Sequence, residues 1–76
     1  MKVSIVLIKN NTIHITKTIN AEHDALTRRI TRSSDEGMDA VVIVFGESQT
    51  YKFTLPVTDA EATTIASKIM RSIEPV

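Results

Sequence analysis

The chain matches itself. Shifting residues 3–20 forward by 38 places Val3, Ile5, Val6, Thr12 and Thr16 on Val41, Ile43, Val44, Thr50 and Thr54. Shifting residues 20–34 by 39 places Ala21, Glu22, Ile30, Arg32 and Ser33 on Ala60, Glu61, Ile69, Arg71 and Ser72. Ten identities in 33 aligned pairs, with Asn20/Asp59, Leu26/Ile65 and Arg29/Lys68 as near matches, predict two copies of one small unit. The pseudo-repeats are 3–34 and 41–73 of a single domain, 1–76. Such a duplication favours folds in which two similar halves complete one sheet and one core.

Each unit has the pattern ββα. Residues 3–9 and 12–18 are rich in β-branched types and flank Asn10-Asn11, a pair suited to the positive φ angles of a two-residue type I′ hairpin. Asn20 is the expected cap of a helix running to about Ser33. Glu22 and Asp24 lie near its positive end and Arg28, Arg29 and Arg32 near its negative end. Ser34-Asp35-Glu36-Gly37 is the stop. Strands are expected at 40–45 and 50–55, joined through Gly46-Glu47-Ser48, with Pro56 ending the last one or marking a sheet edge. Thr58 and Glu61 form a capping box for a second helix that Pro75 closes. The fold class is therefore α+β, ββαββα, with one four-stranded antiparallel sheet in the order 2-1-3-4 and both helices on one face. Pairing of one strand with a second chain is the alternative.

Alternation divides the strands into two faces. Val3, Ile5, Leu7, Ile13, Ile15, Val41, Ile43, Phe45, Tyr51, Phe53 and Leu55 form the expected core side. Against it the second helix brings Ala62, Ile65, Ala66, Ile69, Met70 and Ile73, and the first only Ala21, Ala25, Leu26 and Ile30. The other side carries Val6, Ile8, Val42 and Val44, rimmed by His14, Thr16, Thr18, Lys52 and Thr54. An uncovered aliphatic stripe of this kind marks an interaction surface, and a chain of this size gains from a partner because its own core is thin. Exposed β-branched residues also suit strands for their own sake.

The chain has no cysteine, so disulfides and thiol chemistry are excluded and a cytoplasmic location is expected. The apolar run Val3–Ile8 is too short for a signal peptide, and no stretch reaches the roughly 20 apolar residues of a membrane span. No motif carries recognisable chemistry. His14 has no third group to orient it, and His23 reads as a solvated helix-start residue. Two histidines without a strong third ligand make a poor zinc site. Asp35, Glu36 and Asp39 lack calcium-loop spacing, and two distant glycines make no phosphate loop. No enzyme activity, metal, cofactor or small-molecule substrate is expected.

Net charge is zero but segregated: +4 over residues 1–33 and −4 over residues 34–76. Lys17, Arg28, Arg29 and Arg32 are the candidates for nucleic-acid contact. Asp24, four residues before Arg28, supplies that arginine with a local partner instead. Tyr51 and Phe53 alternate into the core, so no stacking platform is expected. The expected role is a small interaction module, an adaptor or inhibitor, of a size common among phage and accessory bacterial proteins. Its partner would be another protein or a second copy, met through Val6, Ile8, His14, Thr16, Val42, Val44, Lys52 and Thr54. Nucleic-acid binding through the basic first helix is the alternative.

Overall fold

Asn10 and Asn11 have φ angles of 54° and 61°, the left-handed pair that a type I′ turn requires and asparagine tolerates. They join β1 (Lys2–Lys9) to β2 (Thr12–Asn20) in the computed structural model, which describes residues 2–46 and 49–73. The two strands run in regular antiparallel register from Lys2↔Asn20 to Leu7↔Ile15, where a bulge interrupts them. Beyond it Ile8 opposes Ile13, and His14 is the extra residue. An inserted residue reverses the faces of everything past it. Ile13 is therefore not in the core as its alternation with Ile15 predicts. It sits beside Ile8 on the other side and is 65% exposed.

Helix α1 (His23–Asp35) starts later than Asn20 would place it. Asn20 stays in the ladder opposite Lys2, and its carbonyl accepts the Glu22 N–H at 2.9 Å. Glu22, extended and without a side-chain cap bond, becomes the N-cap. The far end stops where expected. Gly37, at φ 78°, donates to the Ser34 carbonyl at 3.1 Å, and Met38 donates to Ser33 at 3.2 Å. This is the Schellman arrangement, which only a residue content with a left-handed backbone permits. Met38 then tucks into the core.

Strands β3 (Ala40–Phe45) and β4 (Gln49–Thr54) complete one antiparallel sheet in the order β2-β1-β3-β4. Pro56 accordingly follows an edge strand, where a missing N–H costs no ladder bond. Helix α2 (Asp59–Ile73) opens with the anticipated capping box. Thr58 N–H donates to Glu61 Oε1 at 3.0 Å, and Glu61 N–H donates to Thr58 Oγ1 at 3.1 Å. The closing role expected of Pro75, and part of the 46–48 connection, lie outside the described residues.

In the central pair, Ile5 faces Ile43, 38 residues further on. Adding 38 to Ser4 and subtracting it from Val44 converts the pair Ser4↔Val44 into Val42↔Val6, which is also in register. A pseudo-two-fold axis thus passes through the Ile5–Ile43 pair. The outer strands follow it with a different spacing: Thr16 opposes Val6, and its counterpart opposite Val44 is Thr50, not Thr54.

Val3, Ile5, Leu7, Val41 and Ile43 on one side of the sheet are at most 1% exposed and join Leu26 and Ile30 of α1 and Ala62, Ile65, Ala66 and Ile69 of α2 in one core. Each large side chain buried there contributes on the order of 1.5–3 kcal/mol. Both helices therefore cover the same face. His23 Nε2 lies 3.0 Å from Ser67 Oγ, and Ser34 Oγ accepts the Val57 N–H at 3.1 Å. The start of α1 thus meets the second half of α2, and its end meets the entry to α2, so the helices are antiparallel. Among the described residues no helix is long and apolar enough to cross a membrane.

Candidate interaction surface

The ladder registers place three rows of side chains across the uncovered face. They read Thr18–Ser4–Val44–Thr50, Thr16–Val6–Val42–Lys52 and Ile13–Ile8–Ala40–Thr54. The expected residues Val6, Ile8, Thr16, Val42, Val44, Lys52 and Thr54 all fall on them. Directly opposed side chains in such rows stand about 5 Å apart, so Ile13, Ile8, Val6, Val42 and Val44 form one diagonal aliphatic band. Val6, Ile8, Val42 and Val44 are half-buried by their neighbours, while Thr16, Lys52 and Thr54 are exposed. His14, exposed at the bulge, borders the band without a partner on β1.

Ile13 is the residue of this surface that alternation misplaces, and Ser4 and Thr50 complete rows that alternation left unfilled. Nothing in Ile13-His14-Ile15 signals the bulge, because the pattern is that of a regular strand. The rows hold Lys52 and no carboxylate. The next registered pair, Lys2–Asn20, adds a second lysine. The electrostatic character of this face is therefore weakly cationic around an apolar centre.

The second candidate set is brought together by the fold. Lys17 opposes Ile5 and so stands on the helix side of β2, between Ile15 and Ile19. With Ile19, Ala25, Arg28, Arg29 and Arg32 it lines a groove of about 320 Å³ between β2 and α1. Arg29 differs from the others. It is 8% exposed, its guanidinium is ion-paired through Nη2 with Glu36 Oε1, and its Nε donates to Ser33 Oγ at 3.5 Å. The expected Asp24–Arg28 pair does not form. Asp24 Oδ1 instead lies 3.8 Å from His23 Nδ1, and His23, joined to Ser67, is half-buried rather than solvated. Among the described residues no carboxylate lies within 4.0 Å of Lys17, Arg28 or Arg32.

A matching groove of about 450 Å³ lies between β4 and α2, with Tyr51, Phe53, Glu61, Thr64 and Lys68 in its lining. Tyr51 opposes Ile43 as Lys17 opposes Ile5, so the grooves are related by the pseudo-two-fold. One is cationic and the other aromatic. Tyr51 and Phe53, with ring centroids 5.9 Å apart, flank the core on the helix side as expected.

Among the described residues no three histidine, aspartate or glutamate side chains gather as a metal-ligand set. Glu61 is the residue whose titration is displaced: the Thr58 backbone N–H, and after it the Thr58 hydroxyl, hold its carboxyl below its ordinary value of 4.5. This belongs to the helix cap. Comparison with known proteins finds no matching family model, curated protein or solved structure.

Proposed function

We propose that the protein is a small non-enzymatic interaction module, an adaptor or inhibitor working in the cytoplasm, that docks another protein on its open sheet face. The observation carrying this reading is the continuous band Ile13–Ile8–Val6–Val42–Val44 on the one sheet surface that neither helix covers. Covering each of these side chains contributes up to about 1.5–3 kcal/mol, and the threonines and Lys52 supply a hydrogen-bonding rim. The mechanism is steric: occupation of a partner's surface, with no chemical step.

Charge argues for the kind of partner. The face carries Lys2 and Lys52 and no acid among its described positions, so an apolar patch rimmed by aspartate or glutamate complements it. A second copy would bring like charge to like. Sedimentation of the pure protein and capture from the native host, each repeated with Val6→Lys and Val44→Lys, tests the proposal. A captured acidic partner lost in both variants, with the fold intact by circular dichroism, supports it. A monomer whose partners are unchanged by both substitutions overturns it, and a dimer broken by them replaces the acidic partner with a second copy.

A further inference from the structure

We infer that the groove between β2 and α1 binds phosphate groups, through Lys17, Arg28 and Arg32. The site is independent of the open sheet face, since Lys17 faces the helices while its neighbours Thr16 and Thr18 face away. Three cations from two elements line one concavity of about 320 Å³. Arg28 and Arg32 are one turn apart, about 6 Å along the helix, and Lys17 enters from the strand beside them. Arg32 also complements the negative end of α1, but that explains neither Arg28 nor a lysine set between two isoleucines in a helix-facing row.

Glu36 is taken by Arg29 and Asp24 is turned to His23. Asp35 and Asp59 share an adjoining concavity with Arg28 and Arg32, but among the described residues no carboxylate lies within 4.0 Å of Lys17 or of either arginine, so the groove presents about three positive charges without a direct ion pair. One carboxylate would leave most of that unbalanced, whereas a phosphate dianion or two successive phosphodiesters would match it. Guanidinium forks suit phosphate oxygens, and the lysine adds a point charge. The remaining lining, Ile19, Ala25 and the ion-paired Arg29, offers no aromatic ring to stack a base, so contact is with phosphate and independent of sequence. The feature is confined to the first half of the chain: across the pseudo-two-fold, Lys17 is replaced by Tyr51, and the 39-residue offset puts Ser67 in place of Arg28.

The test uses the whole chain, with anisotropy of a labelled oligo-dT and calorimetry with pyrophosphate, each over a salt series. Three contacts to a single strand predict a log–log salt slope of about −2, falling to about −0.7 in Arg28→Ala/Arg32→Ala, with affinity lowered by about tenfold or more. Both arginines are exposed, so the variant keeps its fold, which circular dichroism verifies. Lys68→Ala, in the opposite groove, should leave binding unchanged. Oligonucleotide binding that responds this way identifies a nucleic-acid backbone as the source of phosphate. Pyrophosphate binding alone, with the same dependence on Arg28 and Arg32, identifies a small phosphorylated ligand. No binding of either probe, or equal binding by the double variant or equal loss in Lys68→Ala, overturns the site.

Discussion

Asp39 Oδ2 accepts the backbone N–H of Asn10 at 2.7 Å, tying the turn of the first hairpin to the segment that begins the second half of the chain. The Asp39 backbone adds two further ties, donating to the Ile8 carbonyl and accepting the Leu55 N–H, each at 2.9 Å. One residue thus registers β1, β3 and the exit from β4.

Asp39→Ala should remove only the side-chain tie and cost about 1 kcal/mol, since the bond is charge-assisted but exposed. Urea unfolding measures this, and Asp39→Asn should recover part of the loss. An unchanged midpoint for Asp39→Ala would show that the backbone contacts alone hold the three strands together.

The bulge makes two isoleucines, two residues apart, energetically unlike. Ile13→Thr should alter stability by less than about 0.5 kcal/mol, as an exposed substitution does. Ile15→Ala, in a side chain packed against the core, should cost about 1–2 kcal/mol, and Leu7→Ala about 2–5 kcal/mol. Equal losses at Ile13 and Ile15 would contradict the exchange of faces.

Thr58→Ala opens the capping box and should cost about 1 kcal/mol. Because the Glu61 carboxyl titrates lower in the folded chain than when unfolded, its contribution is complete above about pH 4.5 and is lost as pH falls below that. The stability difference between wild type and Glu61→Gln should accordingly be constant near neutrality and shrink on acidification. A difference that grows in acid would reverse the sign and remove the cap as its cause.

Glu36→Ala leaves the buried Arg29 guanidinium with Ser33 as its remaining side-chain partner. With Glu36 itself 38% exposed, the loss should be about 1–2 kcal/mol, below that of a fully buried pair. Arg29→Met, which removes the charge and keeps the volume, should lie closer to wild type. Thermal unfolding of both variants gives the ranking, and a larger loss for Arg29→Met would show that the ion pair itself stabilises the fold.

The elements legible in the sequence are those whose causes are local. Asn10-Asn11, Gly37 and the Thr58/Glu61 box each act within a few residues, and each turn or cap forms where its signal stands. Strand order followed from chain connectivity. The start of α1 did not, because Asn20 is claimed by Lys2 on a neighbouring strand, a tertiary competitor for a local cap. The bulge at His14 depends on two strands at once and leaves no trace in either. The aliphatic residues of the open face were legible by alternation except for Ile13, beyond the bulge. Lys17 and the helix arginines could be named from the sequence. Their meeting in one groove, and the withdrawal of Arg29 into an ion pair, required the packing of β2 against α1.

The extra residue in β2 has a consequence for the molecule in a crowded solution. β2 lies at the margin of the sheet, so its outer N–H and C=O groups are a template on which a stranger's strand could zip. A bulge twists such a margin and breaks its straight run of donors and acceptors. His14, the residue without a partner on β1, is thereby a spacer that interrupts this margin. Deleting it should leave Ile13 beside Ile8 and straighten the margin, and light scattering on storage should then show more self-association than in the wild type.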